Sequence, residues 1–145
     1  MTPAARTEAA IVLLDAILAA ARGGGAAADV LAQRFFAARR YAGSKDRRAI
    51  RALVWKAIRR FGSPPENARA ALVAMADDDP ALAASFDGSP YGPAPIAADE
   101  PRSATGIAPG WIEAALRDAG LDDAAQAALL SRAPLDLRVN ALRGE

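Results

Sequence analysis

The sequence predicts an all-α protein, and three observations carry that prediction. Alanine, the strongest helix former, dominates a hydrophobic fraction of 52%, while aromatics make up only 6%, so helices can approach one another closely over thin core layers. Apolar residues recur at helical spacing in segment after segment. Proline and glycine stand between those segments, where they open and close helices. With 145 residues the chain can bury one ordinary core, and is too short for a helical domain plus a complete cofactor-binding α/β domain.

Thr2 and Pro3 are N-cap and first helical position of a helix running to about Arg22, with Ile11, Leu14, Ile17 and Leu18 inward and Gly23, Gly24 and Gly25 ending it. Asp15 interrupts its apolar run and Glu8 precedes it, which argues against a signal peptide. A second helix spans roughly 26–39, with Val30, Leu31 and Phe35 inward; Phe36 lies too far round and is expected to face another neighbour.

The segment KDRRAIRALVWKAIRR, Lys45 to Arg60, is the most informative. Ile50, Leu53, Val54, Ala57, Ile58 and Phe61 form one apolar stripe, while Arg48, Arg51, Trp55 and Arg59 share another side with Lys56 and Arg60 beyond. Ser44 is the expected N-cap, and Asp46 favours the positive helix end. Gly62 stops this helix, and Ser63 with Glu66 has capping-box spacing for a fourth helix ending near Ala76, with Leu72, Val73 and Met75 inward. Asp79 and Pro80 open a short helix through Phe86. The run Asp77, Asp78, Asp79 therefore serves a helix end, not a metal.

From Asp87 to Gly106 proline and glycine exclude regular structure; Tyr91 and Ile96 are candidate anchors, and the length suggests a boundary or wrapped connection. Pro109 opens a helix with Trp111, Ile112, Ala115 and Leu116 on one side and Gly120 at its close. Asp122 or Asp123 caps a last helix, with Ala125, Leu129 and Leu130, that Pro134 ends. Leu135, Leu137 and Val139 then alternate with polar residues, the period of a β-strand, so a sheet is expected to begin there and the chain looks cut.

The absence of Cys and His removes thiolate and imidazole chemistry, including the usual general bases, nucleophiles and metal ligands, so no catalytic, cofactor or metal residue is assigned. No apolar run reaches the roughly 20 residues that span a bilayer, and a cytoplasmic protein without a membrane partner is expected.

The net charge of +1 conceals segregation. Between Arg34 and Arg60 stand Arg34, Arg39, Arg40, Lys45, Arg47, Arg48, Arg51, Lys56, Arg59 and Arg60 against Asp46 alone, whereas 70–101 holds acids and no base. Lys45 and Lys56 are the only lysines, and arginine is the side chain that forks onto phosphate and stacks on bases. Arg39, Arg40, Lys45, Arg48, Arg51 and Arg59 are the candidate RNA-backbone contacts, with Trp55 as a possible stacking platform. The plainer reading is a solvated basic face with Trp55 packed on a neighbouring helix.

Three motifs support a family resemblance. DRRAIRALVWKAIRR resembles the D-R-x-x-x-x-x-L-V-Y-x-x-L-R-R helix of NusB-like domains, PGWIEAAL resembles P-x-W-L-x-x-x-L, and APLDLRVNALRG, with Arg138 and Asn140, resembles P-x-x-L-R-V-N-x-L-K. In that order they are similar to the N-terminal part of bacterial 16S rRNA (cytosine-C5)-methyltransferases of the Sun/NOL/NOP type. The resemblance implies a NusB-like RNA-binding bundle over 1–86, an irregular connection over 87–106, a helical linker over 107–134 and the first strand of a methyltransferase domain over 135–145. It also implies 16S rRNA and a methyltransferase domain in cis as partners. S-adenosylmethionine and paired cysteines would belong to that domain, so this chain holds no cofactor and is inactive alone. A freestanding NusB-like antitermination factor and a helical protein-interaction module are the alternatives.

Overall fold

The computed structural model describes residues 1–131. The expected strand from Leu135 to Asn140 lies outside them. The described residues hold seven helices: α1 (Pro3–Gly23), α2 (Ala28–Ala37), α3 (Ser44–Arg60), α4 (Ala68–Ala76), α5 (Pro80–Ala83), α6 (Gly110–Asp118) and α7 (Asp123–Leu129). The all-α prediction holds for all of them.

Helix α1 is the centre of the bundle. It packs against α2, α3 and α4, and buries Ile11, Leu13, Leu14, Ile17 and Leu18 along two sides of its surface. The Thr2 hydroxyl accepts from the Ala5 amide at 3.1 Å, and Gly24 closes the helix at φ +66°, a left-handed conformation that glycine adopts freely. Asp15 has a structural use: its Oδ1 accepts the Ala68 amide at 2.7 Å, so α1 caps α4 from 53 residues away in sequence. Asn67 accepts from Ala70 at 2.8 Å as the N-cap of α4, in place of the expected Ser63. The physical reason is the Arg22 guanidinium, which donates to the carbonyls of Pro65 and Glu66, the latter at 2.9 Å. That contact holds 63–66 outside the helix.

Helix α3 starts one residue earlier than expected, with Gly43 and not Ser44 at the N-cap. Asp46 at N3 accepts the Gly43 amide at 3.3 Å. Ile50, Val54, Ala57 and Phe61 are buried, Leu53 is half-buried, and Ile58 is exposed because the bundle covers only a narrow arc of this helix. In α2 the buried residues are Ala32, Phe35 and Phe36, while Val30 and Leu31 are only half-covered. Phe36 packs edge-on against Phe35, 5.3 Å between ring centroids.

Residues 87–106 wrap along α4. Arg69 holds them: it pairs with Glu100 and donates to the carbonyls of Ala94 at 3.0 Å and Pro95 at 3.3 Å. The Ser103 amide donates to the Ala70 carbonyl at 3.1 Å, and Ile96 packs on the core. Tyr91 is not an anchor, being 79% exposed. At Gly62 the chain passes so close to the next segment that a β-carbon would lie 2.2 Å from the Ala108 carbonyl oxygen, which only glycine accommodates. Helix α5 ends at Ala83, short of Phe86. Helices α6 and α7 pack on each other; Trp111, Leu129 and Leu130 are exposed where core or anchor positions were expected, and Gln126 is the buried residue of α7.

Asp46 fastens α3 to α1. Its Oδ1 accepts from Arg6 Nε at 2.8 Å, and the Met1 amine lies 3.4 Å away. The Arg6 hydrogen bond is the main reason its carboxyl titrates below the ordinary range. Glu100 is lowered in the same way, chiefly by Arg69. Asp79 is lowered by the Leu82 amide first and then by Lys56. A carboxylate depressed in the folded state stabilises it fully above the unfolded pKa of about 4 and progressively loses that contribution as pH falls through the folded value. With no histidine in the chain, none adds a transition near neutrality. Thermal melts should therefore give a flat midpoint from about pH 5.5 to 8 and a steep fall below about pH 4. Asp46→Asn should lower the neutral plateau by several degrees and make the acid limb shallower; an unchanged acid limb would remove Asp46 from this role.

Candidate nucleic-acid interface

The candidate cations occupy the α2–α3 connection and the outer side of α3. Positions 48, 51, 55 and 59 advance by three or four residues, so they follow one line for about 16 Å along the helix. Arg48, Arg51 and Trp55 come together in a groove of about 470 Å³, walled on the α2 side by Ala32 and Asp29. Trp55 is half-buried: it packs partly on the core, as the packing expectation has it, and lines this groove with the rest of its surface. Arg59, one turn on, lines a different groove of about 480 Å³ with Lys56, Arg60 and residues 105–107, which Ala127 and Leu130 border. Arg40 and Lys45 are exposed, in the connection and in the first turn of α3. Arg39 belongs to a third groove, toward α1.

The aromatic pair of α2 organises several of these arginines. Arg39 lies over the Phe35 ring, 3.7 Å from its centroid, and reaches the Phe35 carbonyl at 3.4 Å. Arg51 lies over Phe36 at 5.3 Å and Arg47 at 5.8 Å from the opposite helix. Arg47 Nε also donates to the Ala42 carbonyl at 2.7 Å, which spends it on the α2–α3 turn. Stacking on a ring leaves guanidinium edges free for phosphate oxygens and restricts the side chain before any ligand arrives.

Ion pairing sorts the basic residues into two groups. Lys56 pairs with Asp79 at 3.2 Å, Arg60 with Asp78, Arg69 with Glu100 and Arg102 with Asp77 at 2.8 Å. The acidic run is thus a clasp as well as a helix cap, with Asp79 accepting the Leu82 amide at 3.1 Å. Its three carboxylates neutralise the end of α3 and the wrapped segment, so the charge separation along the sequence is partly cancelled in space. Arg39, Arg40, Lys45, Arg48, Arg51 and Arg59 have no carboxylate within salt-bridge distance among the described residues. Asp29 is the acid that borders their groove, a neighbour created by the α2–α3 crossing and not foreseeable from its place near the start of α2.

The arrangement offers cations without carboxylate partners among the described residues, two of them lying over rings, and one partly open indole, which suits a polyphosphate backbone. Among the described residues no helix is long and apolar enough to cross a membrane, and no group of carboxylates is placed to hold a metal ion. Comparison with protein-family models, with curated proteins and with solved structures finds no match to this chain.

Proposed function

We propose that the chain is an RNA-binding helical domain that grips the phosphate backbone of structured rRNA through the outer side of α3. The observation that carries this reading is the sorting of charge. The chain's own carboxylates take up Lys56, Arg60, Arg69 and Arg102, and leave Arg39, Arg40, Lys45, Arg48, Arg51 and Arg59 without such a partner among the described residues; Arg47, which also has none, is held by the Ala42 carbonyl. A face kept basic merely for solubility would not need the neighbouring cations neutralised one by one.

The motif resemblance supports the finer reading: the NusB-like, non-catalytic portion of an S-adenosylmethionine-dependent 16S rRNA (cytosine-C5)-methyltransferase. The chain contains no cysteine, so it lacks the nucleophile and the release-assisting thiol of that chemistry, and no methyl-transfer step runs through its residues. Its contribution is to hold RNA for a catalytic domain in cis. A freestanding NusB-like factor would use the same basic face.

Six phosphate contacts release counterions with a slope of about 0.7 to 0.9 each, so log affinity for a 16S fragment should fall against log salt with a slope of about −4 to −5. Sequence preference should be slight on paired RNA, because phosphates and ribose carry the contact. Filter-binding or fluorescence titrations across salt concentrations give the slope directly. Binding that ignores salt would refute the reading.

A further inference from the structure

The second set of aromatic residues lies away from α3. A groove of about 610 Å³, within the ordinary size of ligand pockets, is lined by Tyr41, Tyr91, Arg39, Glu8, Val12 and Pro90, among others. Tyr41 is 72% exposed and Tyr91 79%, although neither serves the core. They are far apart in sequence, one from the α2–α3 connection and one from the wrapped segment, and only the fold brings them to line the same groove. A single exposed tyrosine is unremarkable, but two on one apolar groove beside a cation are the elements of a stacking site.

Charge chooses the occupant. Arg39 joins this groove to the basic face, and its guanidinium is already held over Phe35. Tyr41 adjoins Arg40 in the chain. A strand whose phosphates follow the α2–α3 connection would bring its next base to the tyrosines. Glu8, half-buried on the α1 wall, has no cation within salt-bridge distance among the described residues. A carboxylate repels phosphate and accepts hydrogen bonds only, so it fits a base edge that donates. Guanine offers two adjacent donors, N1–H and the N2 amino group; uracil offers one.

We propose that this groove is a nucleobase pocket that takes an unstacked guanine from single-stranded RNA, stacked on Tyr41 and Tyr91, with its donor edge on Glu8 and its phosphate on Arg39. The pocket rests on the RNA-binding reading above and deepens it: α3 holds the backbone of structured RNA, and the groove reads a base at a loop or strand end.

The test compares a short uridine-rich single strand carrying one central guanosine, the all-uridine strand and a duplex of the same length. Wild type should prefer the guanosine strand to the all-uridine one. Tyr41→Ala with Tyr91→Ala should weaken binding of the guanosine strand by about 5- to 100-fold and leave the duplex unchanged. Tyr41→Phe with Tyr91→Phe should bind like wild type, since the rings are kept, and Glu8→Gln should lose the guanosine preference. Both tyrosines are exposed, so the variants should melt as wild type does. Unchanged single-strand affinity in the alanine pair overturns the pocket and leaves the groove to a protein partner. An equal loss on duplex and single strand also overturns it, and a guanosine preference surviving Glu8→Gln removes Glu8 from the base edge. If the tyrosine pair matters while Arg48, Arg51 and Arg59 can be removed without effect, the α3 face fails and the pocket stands. If wild type binds none of these RNAs, both fall together.

Discussion

Replacing Arg48, Arg51 and Arg59 together by alanine is expected to lower affinity for a 16S rRNA fragment on the order of 100-fold near 0.1 M salt, and to flatten the salt slope by about 2 to 3. Three lost contacts at 0.7 to 0.9 counterions each give both figures, which makes the two readouts a check on one another. The fold should survive. Arg48 and Arg59 are exposed, alanine is the better helix former, and Arg51 contributes to the core only by lying over Phe36, which is 3% exposed. The control is a charge-neutral pair, Arg60→Ala with Asp78→Ala, on the same end of α3. Those two residues already neutralise one another, so their joint removal should leave the slope where it was. Equal slopes for wild type and the triple variant, or an equal loss in the control, would mean that α3 attracts RNA only through overall charge, or not at all.

Arg59 and Arg60 show what the helical period carries and what it does not. The period places Arg59 on the side of Arg48 and Arg51 and sets Arg60 farther round, but that Asp78, 18 residues on from Arg60, takes up its charge is a contact made by the fold. Long-range pairing of this kind has no sequence period, so the basic side of the helix is legible in the sequence and the acids that neutralise its neighbours are not. The same division runs through the fold. Thr2, Gly24, Asp79 and Asp122 end or begin helices where expected, because a cap is settled by a residue and its neighbours three or four positions away. The start of α4 was missed because Asp15 and Arg22, both from α1, decide it. Ile58 and Trp111 fit their apolar stripes, but a stripe records which residues can be buried together, and burial also needs a neighbour. Helix α3 meets the bundle along Ile50, Val54, Ala57 and Phe61, and α6 packs mainly against α7 among the described helices. Likewise, of the two candidate anchors of the wrapped segment Tyr91 is not one, and Arg69, whose position on α4 gives no sign of it, holds that segment.

Leu14→Ala is expected to cost about 2 to 5 kcal/mol of stability, the largest effect of any single change considered. Leu14 is 1% exposed and belongs to the one helix that touches α2, α3 and α4 together, so the void it leaves has rigid helices on several sides and cannot close by a small shift. Against a typical total of about 5 to 15 kcal/mol, the melting midpoint should fall on the order of 10 °C. Val12, two residues earlier on α1, is 42% exposed, and Val12→Ala should stay within about 0.5 kcal/mol because alanine gains in helix propensity what little packing is lost. Equal effects for the two would show that α1 does not form the centre of the bundle. RNA affinity separates structure from recognition in the same pair of proteins. Arg48, Arg51 and Arg59 are carried on the side of α3 that does not meet α1, so Leu14→Ala should bind a 16S fragment normally at temperatures where it is still folded and lose binding only along its own melting curve. A loss of affinity well below that transition would mean that the cations need the α1–α3 packing for their position as well as for their support.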